Sequence, residues 1–327
     1  MLIRNPRYQQ GVTFIEVLIV AVIAGLLIVG LNGIVGQALQ SKQQTESRNQ
    51  LSRDADFALQ RMIQALSHTR LLLLPFPDKP STNDTENIRE QTDPSSLKTD
   101  TNALDTAVLA MTLPAYVDLN ADGVADADND GDGRFDEDLP ADSTNDDAPG
   151  IRGIDDDDDG WLDGWFVKEN DDEEFYVRDE DPINGNDDDG DGSIDEDPPA
   201  DMNADGCPGD CYVDDDGDGA VDEGDVADDD EDGSTNEDWY DPLVFYFNNG
   251  TLIERTPVPW DESGNGSITG QDYVTSVIAE HVRRFRVERI AQGTDPGLRV
   301  DILLELHDPE TGETASLRTQ VLVGSAL

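Results

Sequence analysis

The sequence predicts an α+β protein: a long N-terminal helix packed on an antiparallel β-sheet, with a large acidic insertion between two of the strands. Three observations carry this. Residues 12–31 are apolar apart from Glu16, and apolar positions continue at helical spacing as far as Leu66. The last third of the chain alternates apolar and polar residues, the period of half-buried strands. Between them the charge is confined. Residues 116–240 hold 50 acidic and four basic residues, within a 327-residue chain of net charge −53; the other 202 residues hold 24 acids and 17 bases. Adaptation to high salt would spread acid over every surface. A polyanion of this strength has no basic face for phosphates, so nucleic acid is excluded as a partner. The expected divisions are a leader at 1–11, a helix at 12–74, the start of a globular domain at 75–115, the acidic insertion at 116–240 and a C-terminal β part at 241–327.

The helix comes first. Met1 to Gln10 are polar and carry Arg4 and Arg7; the twenty residues from Val12 to Leu31 then hold one charge. At ~1.5 Å per residue such a helix spans the ~30 Å hydrocarbon core. Basic residues before the span place the N-terminus in the cytoplasm and the bulk outside. A cleaved secretory signal would have an apolar run of about 7–15 residues and an A-x-A-like site; this run is longer and lacks one. A plain anchor does not explain Glu16, since a carboxylate in the span costs ~2.5–3.5 kcal/mol on insertion scales. Beyond the membrane, Leu51, Ala55, Ala58, Met62 and Ala65 step by four and three along one face, and Pro75 and Pro77 stop the helix. That stripe is expected to pack against the chain's own sheet.

The run Gly11-Val12-Thr13-Phe14-Ile15-Glu16 resembles the processing site of type IV pilins and pseudopilins. The resemblance implies that a prepilin peptidase cuts between Gly11 and Val12 and methylates the new N-terminus. It also implies that Glu16 pairs with a free α-amine in a growing filament of pilin subunits joined through this helix. A buried amine and a buried carboxylate are each costly alone and much less so together. Val12 stands where phenylalanine is usual, with Phe14 two positions later. The implied location is a single-pass inner-membrane precursor, then a periplasmic or cell-surface filament.

Strands follow. Thr106 to Leu113 reads as one, with residues 78–102 before it as a loop. Leu243–Phe247 and Thr251–Arg255 flank Asn248-Asn249-Gly250, a hairpin signal. Phe285, Val287 and Arg289 alternate with Arg284, Arg286 and Glu288; Leu298, Val300, Ile302, Leu304 and Leu306 alternate more cleanly; Leu317 to Val323 closes the sheet. Five or six antiparallel strands with one apolar face suit cover by a long helix. The ordering resembles the larger minor pilins and pseudopilins, including PilW-like and type II secretion J-like groups. The acidic tract then lies between two strands and is expected to project from the body rather than enter its core. A loop of that size needs something to fold it.

The tract repeats a frame with oxygen-bearing residues at positions 1, 3, 5 and 9 and glycine at 6. Strict copies are Asp128, Asp130, Asp132 and Asp136; Asp155, Asp157, Asp159 and Asp163; Asp187, Asp189, Asp191 and Asp195; Asp214, Asp216, Asp218 and Asp222. Looser copies are Asp118, Asn120, Asp122 and Asp126; Asp201, Asn203 and Asp205; Asp228, Asp230 and Asp232. An eighth lies outside the tract: Asp261, Ser263 and Asn265, with Gly266 at position 6, Ile268 at 8 and Asp272 at 12. Calcium takes six to eight oxygens at ~2.3–2.6 Å, and residues two apart on a tight loop can turn theirs inward. The strict copies keep an apolar residue at position 8: Phe135, Leu162, Ile194 and Val221. These frames resemble the calcium loops of EF-hands, dockerins and thrombospondin type 3 repeats. They lack the EF-hand's bidentate glutamate at position 12, where Leu139, Phe166 and Pro198 stand. Several Ca²⁺ ions are the expected cofactor; magnesium, which demands octahedral geometry, suits them less. Eight divalent ions would offset 16 of the 53 net negative charges.

Cys207 and Cys211 bracket Pro-Gly-Asp, the spacing of a small disulfide-closed turn in an exported protein. Trp161, Trp165 and Trp239 are expected to form mini-cores between loops. No nucleophile elbow, phosphate loop, histidine metal triad or Cys-His arrangement occurs, so an enzyme is not expected. The expected role is structural: a minor or tip subunit of a type IV pilus-like filament, whose calcium-stabilised insertion serves adhesion or stiffening; the sequence does not say whether a surface receptor or glycan is its target. A type II secretion pseudopilin and a tethered calcium-dependent adhesin are the alternatives.

Overall fold

A computed structural model describes residues 14–76, 87–129, 131, 133–136, 144–146, 148, 150–156, 160–163, 212, 219–222, 224, 238–290 and 298–326, without the side chains of 28–30, 32 and 33. Helix α1 runs Phe14–His68. Among the described residues nine strands follow: β1 Leu72–Leu74, β2 Ile88–Thr92, β3 Val108–Thr112, β4 Pro242–Asn248, β5 Thr251–Pro257, β6 Tyr273–Ala279, β7 Val282–Ile290, β8 Arg299–His307 and β9 Thr314–Leu322. They form two antiparallel sheets, β1-β3-β4-β5-β6 and β2-β7-β8-β9, where the sequence suggested one. The class is α+β.

Leu51, Ala55, Ala58, Leu59, Met62, Ala65 and Leu66 of α1 are buried against both sheets, meeting Leu109, Met111 and Phe245 of one and Val287, Ile302 and Leu304 of the other. Helical spacing put the first of these on one face, and the period-two pattern of β8 put Val300, Ile302, Leu304 and Leu306 all on the core side. The predicted hairpin forms: Asn248 pairs with Thr251, and Asn249 and Gly250 take φ +46° and +82°, as a two-residue primed turn requires.

Four expectations need correction. The helix ends at His68, not near residue 74. Thr69 Oγ1 donates to the Thr112 carbonyl at 2.8 Å, and Leu72 and Leu74 turn into the sheet beside β3. Residues 78–102 are not all loop, since β2 lies there and pairs with β7. β6, unassigned from sequence, is an edge strand with mostly exposed side chains. Finally, the acidic tract does not simply project. It leaves after β3 and returns into β4, which are direct neighbours with Thr112 opposite Pro242. Ala127 joins the main core, and Ile151 and Ile154 pack with Leu74, Val108, Ala110 and Val244 on the opposite face of the five-stranded sheet. All five residues of β3 are buried because the helix covers one face and the insertion the other.

Truncating Met62, fully buried between helix and sheets, should cost about 2–5 kcal/mol in chemical denaturation. Leu26→Ala on the exposed half of α1 should change the isolated subunit by no more than about 0.5 kcal/mol. Equal losses would place the two halves of the helix in the same environment.

Candidate functional site

Two regions carry candidate chemistry. The first is the stem. Glu16 lies in the first turn of α1, while Phe14, Ile15, Leu18, Leu26, Ile34 and Leu39 are among its exposed apolar side chains. An apolar surface this long belongs against lipid or other helices. Among the described residues no helix is long and apolar enough to cross a membrane. Part of the 12–31 run, including the side chains of 28–30, lies outside that set, as do Gly11 and Val12. His68, near the end of the helix, packs edge-on against Tyr116 with ring centroids 5.0 Å apart.

The second region is the set of glycine-centred loops. Gly123, Gly133, Gly160, Gly219 and Gly266 occupy position 6 with φ between +92° and +100°, a conformation that suits glycine. In four loops that glycine's N–H donates to Oδ2 of the position-1 aspartate, at 3.1 Å for Asp118, Asp128 and Asp155 and 3.0 Å for Asp261. The position-9 acids also take backbone N–H groups: Asp126 from Leu119 at 2.9 Å, Asp163 from Gly153 at 2.5 Å and Asp222 from Tyr212 at 2.7 Å. In the last loop Asp272 accepts from Ser263 and Thr269, and Asn265 Oδ1 from Ser267. Asn120 Oδ1 likewise accepts from Asp122 N–H. The position-1 to position-6 hydrogen bond therefore recurs in four loops.

Asp130, Asp132, Asp157, Asp159, Asp187, Asp189, Asp191, Asp195, Asp201, Asn203, Asp205, Asp214, Asp216, Asp218, Asp228, Asp230 and Asp232, with Cys207, Cys211 and Trp165, lie outside the described residues. Among the described residues, no three His, Cys, Asp or Glu side chains form a ready metal cluster. The described side chains at the frame positions carry carboxylate, amide and hydroxyl oxygens. The apolar residues at position 8 do not share one environment. Phe135 lies against the main core under the Arg70 guanidinium, 5.3 Å from its ring centroid, whereas Leu162, Val221 and Ile268 are exposed. Trp161 is exposed too, while Trp239 is buried beside a cleft of about 310 Å³ between the Asp118 and Asp261 loops.

Sequence reasoning missed a second layer of charged residues. Arg89 of β2 and Arg255 of β5 are buried and hold the insertion to the body. Arg89 donates to the carbonyls of Asp155 and Asp156; Arg255 donates to the Arg152 carbonyl, stacks 3.7 Å from the Tyr273 ring centroid and approaches Asp146 at 4.0 Å. Gly270 N–H donates to the Asn145 carbonyl at 3.0 Å, and a side chain there would strike the Thr144 carbonyl. Burial pushes the Asp156 carboxyl up to about 8 against the pull of the Ile151 N–H and Arg89. Burial, then the Asp238 charge, raises Asp136 to about 8 against Arg70. Asp241 is raised by burial and then by Asp136, and Asp126 by burial, opposed by the Leu119 N–H. The only sequence signal for Asp238 and Asp241 is their place beside Trp239 and Tyr240 at the head of β4.

Residues 6–32 match the family described as the prokaryotic N-terminal methylation motif. No curated protein and no solved structure matches the chain.

A carboxyl that stays protonated when folded but ionises near pH 4 when unfolded destabilises the fold as pH rises between those values. With calcium chelated, stability should therefore fall from about pH 5 to pH 8, by on the order of 1 kcal/mol per pH unit per such group at most. Asp156→Asn should flatten the slope in denaturant titrations; an unchanged slope would contradict the assignment.

The motif implies a membrane-anchored precursor, processing by a prepilin peptidase and assembly with pilins in general. Residues 6–32 thus carry the N-terminal methylation signal of type IV pilin-like and pseudopilin precursors.

Proposed function

We propose that this chain is a structural subunit of a type IV pilus-like filament, at a minor or tip position, with a calcium-stabilised insertion displayed outside the cell for adhesion or stiffening. The observation that carries the reading is the division of α1. The methylation motif leads into an exposed apolar half, and the same helix continues without a break into a half buried against the body. One half suits lipid before assembly and sister helices after it; the other fixes the body to the stem. Glu16 would neutralise the methylated amine of a sister subunit once both leave water. The bulk of the insertion favours a tip or minor position, since such a mass is harder to repeat around a dense helical lattice. Support for calcium is the recurring position-1 to position-6 hydrogen bond and the all-oxygen donor set.

Mass spectrometry of the mature protein should find an N-terminus at methylated Val12, and Gly11→Ala should leave the precursor uncut and unassembled. A tethered adhesin with no filament would still mature and reach the surface in that variant. Calorimetric titration of the chelated protein should show uptake of several calcium ions; no uptake would remove the calcium part and leave the stem untouched.

A further inference from the structure

Trp239 lies on the segment that returns from the insertion into β4. It is only 8 % exposed, but its indole joins neither apolar core. It lines instead the cleft of about 310 Å³ between the Asp118 and Asp261 loops. Its Nε1 is buried and finds no hydrogen-bond acceptor among the described residues. An indole N–H is a donor only, and when buried it normally has a partner, because leaving it without one is costly. Two other kinds of surface line the same cleft. Asp122 and Asp126 bring carboxylates, while Val124, Pro259 and Ile268 form apolar walls. Val124 and Ile268 are left 39 % and 47 % exposed. The carboxylates accept backbone N–H groups within their own loop, Asp122 from Val124 at 2.8 Å and Asp126 from Leu119 at 2.9 Å. Each still has lone pairs to offer, since an ionised carboxylate has about four acceptor positions.

We propose that this cleft binds a neutral sugar ring, one hydroxyl accepting from Trp239 Nε1 while others donate to Asp122 and Asp126. Three ligand chemistries compete for such a site, and two fail. An anion could accept from the indole, but it would meet carboxylates in a tract of 50 acidic and four basic residues. A lysine or arginine side chain could donate to the carboxylates, but it has no acceptor for the indole N–H. A hydroxyl both donates and accepts, so a polyol satisfies both. The C–H face of a sugar ring would also take Val124 and Ile268 out of water. The volume stands at the lower end of ligand pockets, about 300–1,000 Å³, which suits one or two rings rather than a long chain. The proposal supplies a target class for the adhesive part of the reading above and rests on that part alone. It is compatible with calcium in the loops, because a carboxylate that gives one oxygen to an ion keeps the other for a hydroxyl.

The test is saturation-transfer NMR on full-length protein in calcium, in micelles of a detergent without a sugar head group. The probes are the methyl glycosides of glucose, galactose, mannose and N-acetylglucosamine, and at least one should bind. Trp239→Phe keeps an aromatic ring and deletes the N–H, and should weaken that binding about fivefold or more. Ile268→Asp, a change at an exposed wall, should weaken it about tenfold or more with thermal unfolding unchanged. Should Trp239→Phe fail to fold, Ile268→Asp alone decides. A folded parent that binds none of the four refutes the site and leaves the filament and calcium readings as they stand. Binding that both variants keep in full puts the sugar outside this cleft and refutes the site as well. If trilysine binds in place of the sugars, and Ile268→Asp tightens it, the cleft takes cations and the proposal is overturned. If the variants weaken sugar binding but cells bearing the protein attach to sugar-coated beads no better than cells lacking it, the site stands and the adhesive role falls.

Discussion

β3 and β4 are hydrogen-bonded neighbours although residues 113–241 lie between them, and the rest of the architecture answers to that pairing. Closing a connection of this length in place of a two-residue turn costs about 4 kcal/mol more in chain entropy. Burial on both faces offsets it. Leu109, Met111 and Phe245 face the helix, while Val108, Ala110 and Val244 face Ile151 and Ile154 of the insertion. A strand pair covered on one side only would leave those second-face residues in water. The insertion therefore helps to hold together the two strands that it separates in sequence.

The same logic explains where charge is tolerated. In the body several acids sit beside arginines, such as Glu90 with Arg284 and Asp301 with Arg318. The insertion has almost no such partners to offer, with four basic residues against 50 acidic ones, and borrows Arg89 and Arg255 from the sheets. Where the insertion meets the body, acids are buried and pushed toward the protonated form. Protons, arginines and divalent cations are alternative answers to one electrostatic problem. The calcium ions proposed for the loops would be the answer that leaves the carboxylates ionised.

Much of this was legible in the chain itself, for identifiable reasons. Strong periodicity located the buried face of α1 at Leu51, Ala55, Ala58 and Met62, and the core face of β8. Turn chemistry located Asn249-Gly250, and the glycine at position 6 announced the loops. What escaped had no local signature. β1 is three residues long, too short for alternation to register. β2 reads Ile-Arg-Glu-Gln-Thr and buries Arg89 and Glu90 through tertiary pairing alone. β6 exposes most of its side chains at a sheet edge. Ile151 and Ile154 are two apolar residues in an acidic stretch, and only the fold shows which surface they cover. Asp238 and Asp241 belong to no repeat; only the fold brings Asn129, from the outgoing segment, to donate to both.

Hydrogen exchange of the full chain in micelles, with calcium and after chelation, tests most directly whether a twice-covered strand pair anchors an ion-ordered insertion. Amides of β3 and β4 should be among the slowest in both conditions, and those of the 118–136 and 144–156 segments should slow markedly only with calcium. Fast exchange in β3 and β4, or insertion amides indifferent to calcium, would contradict the account.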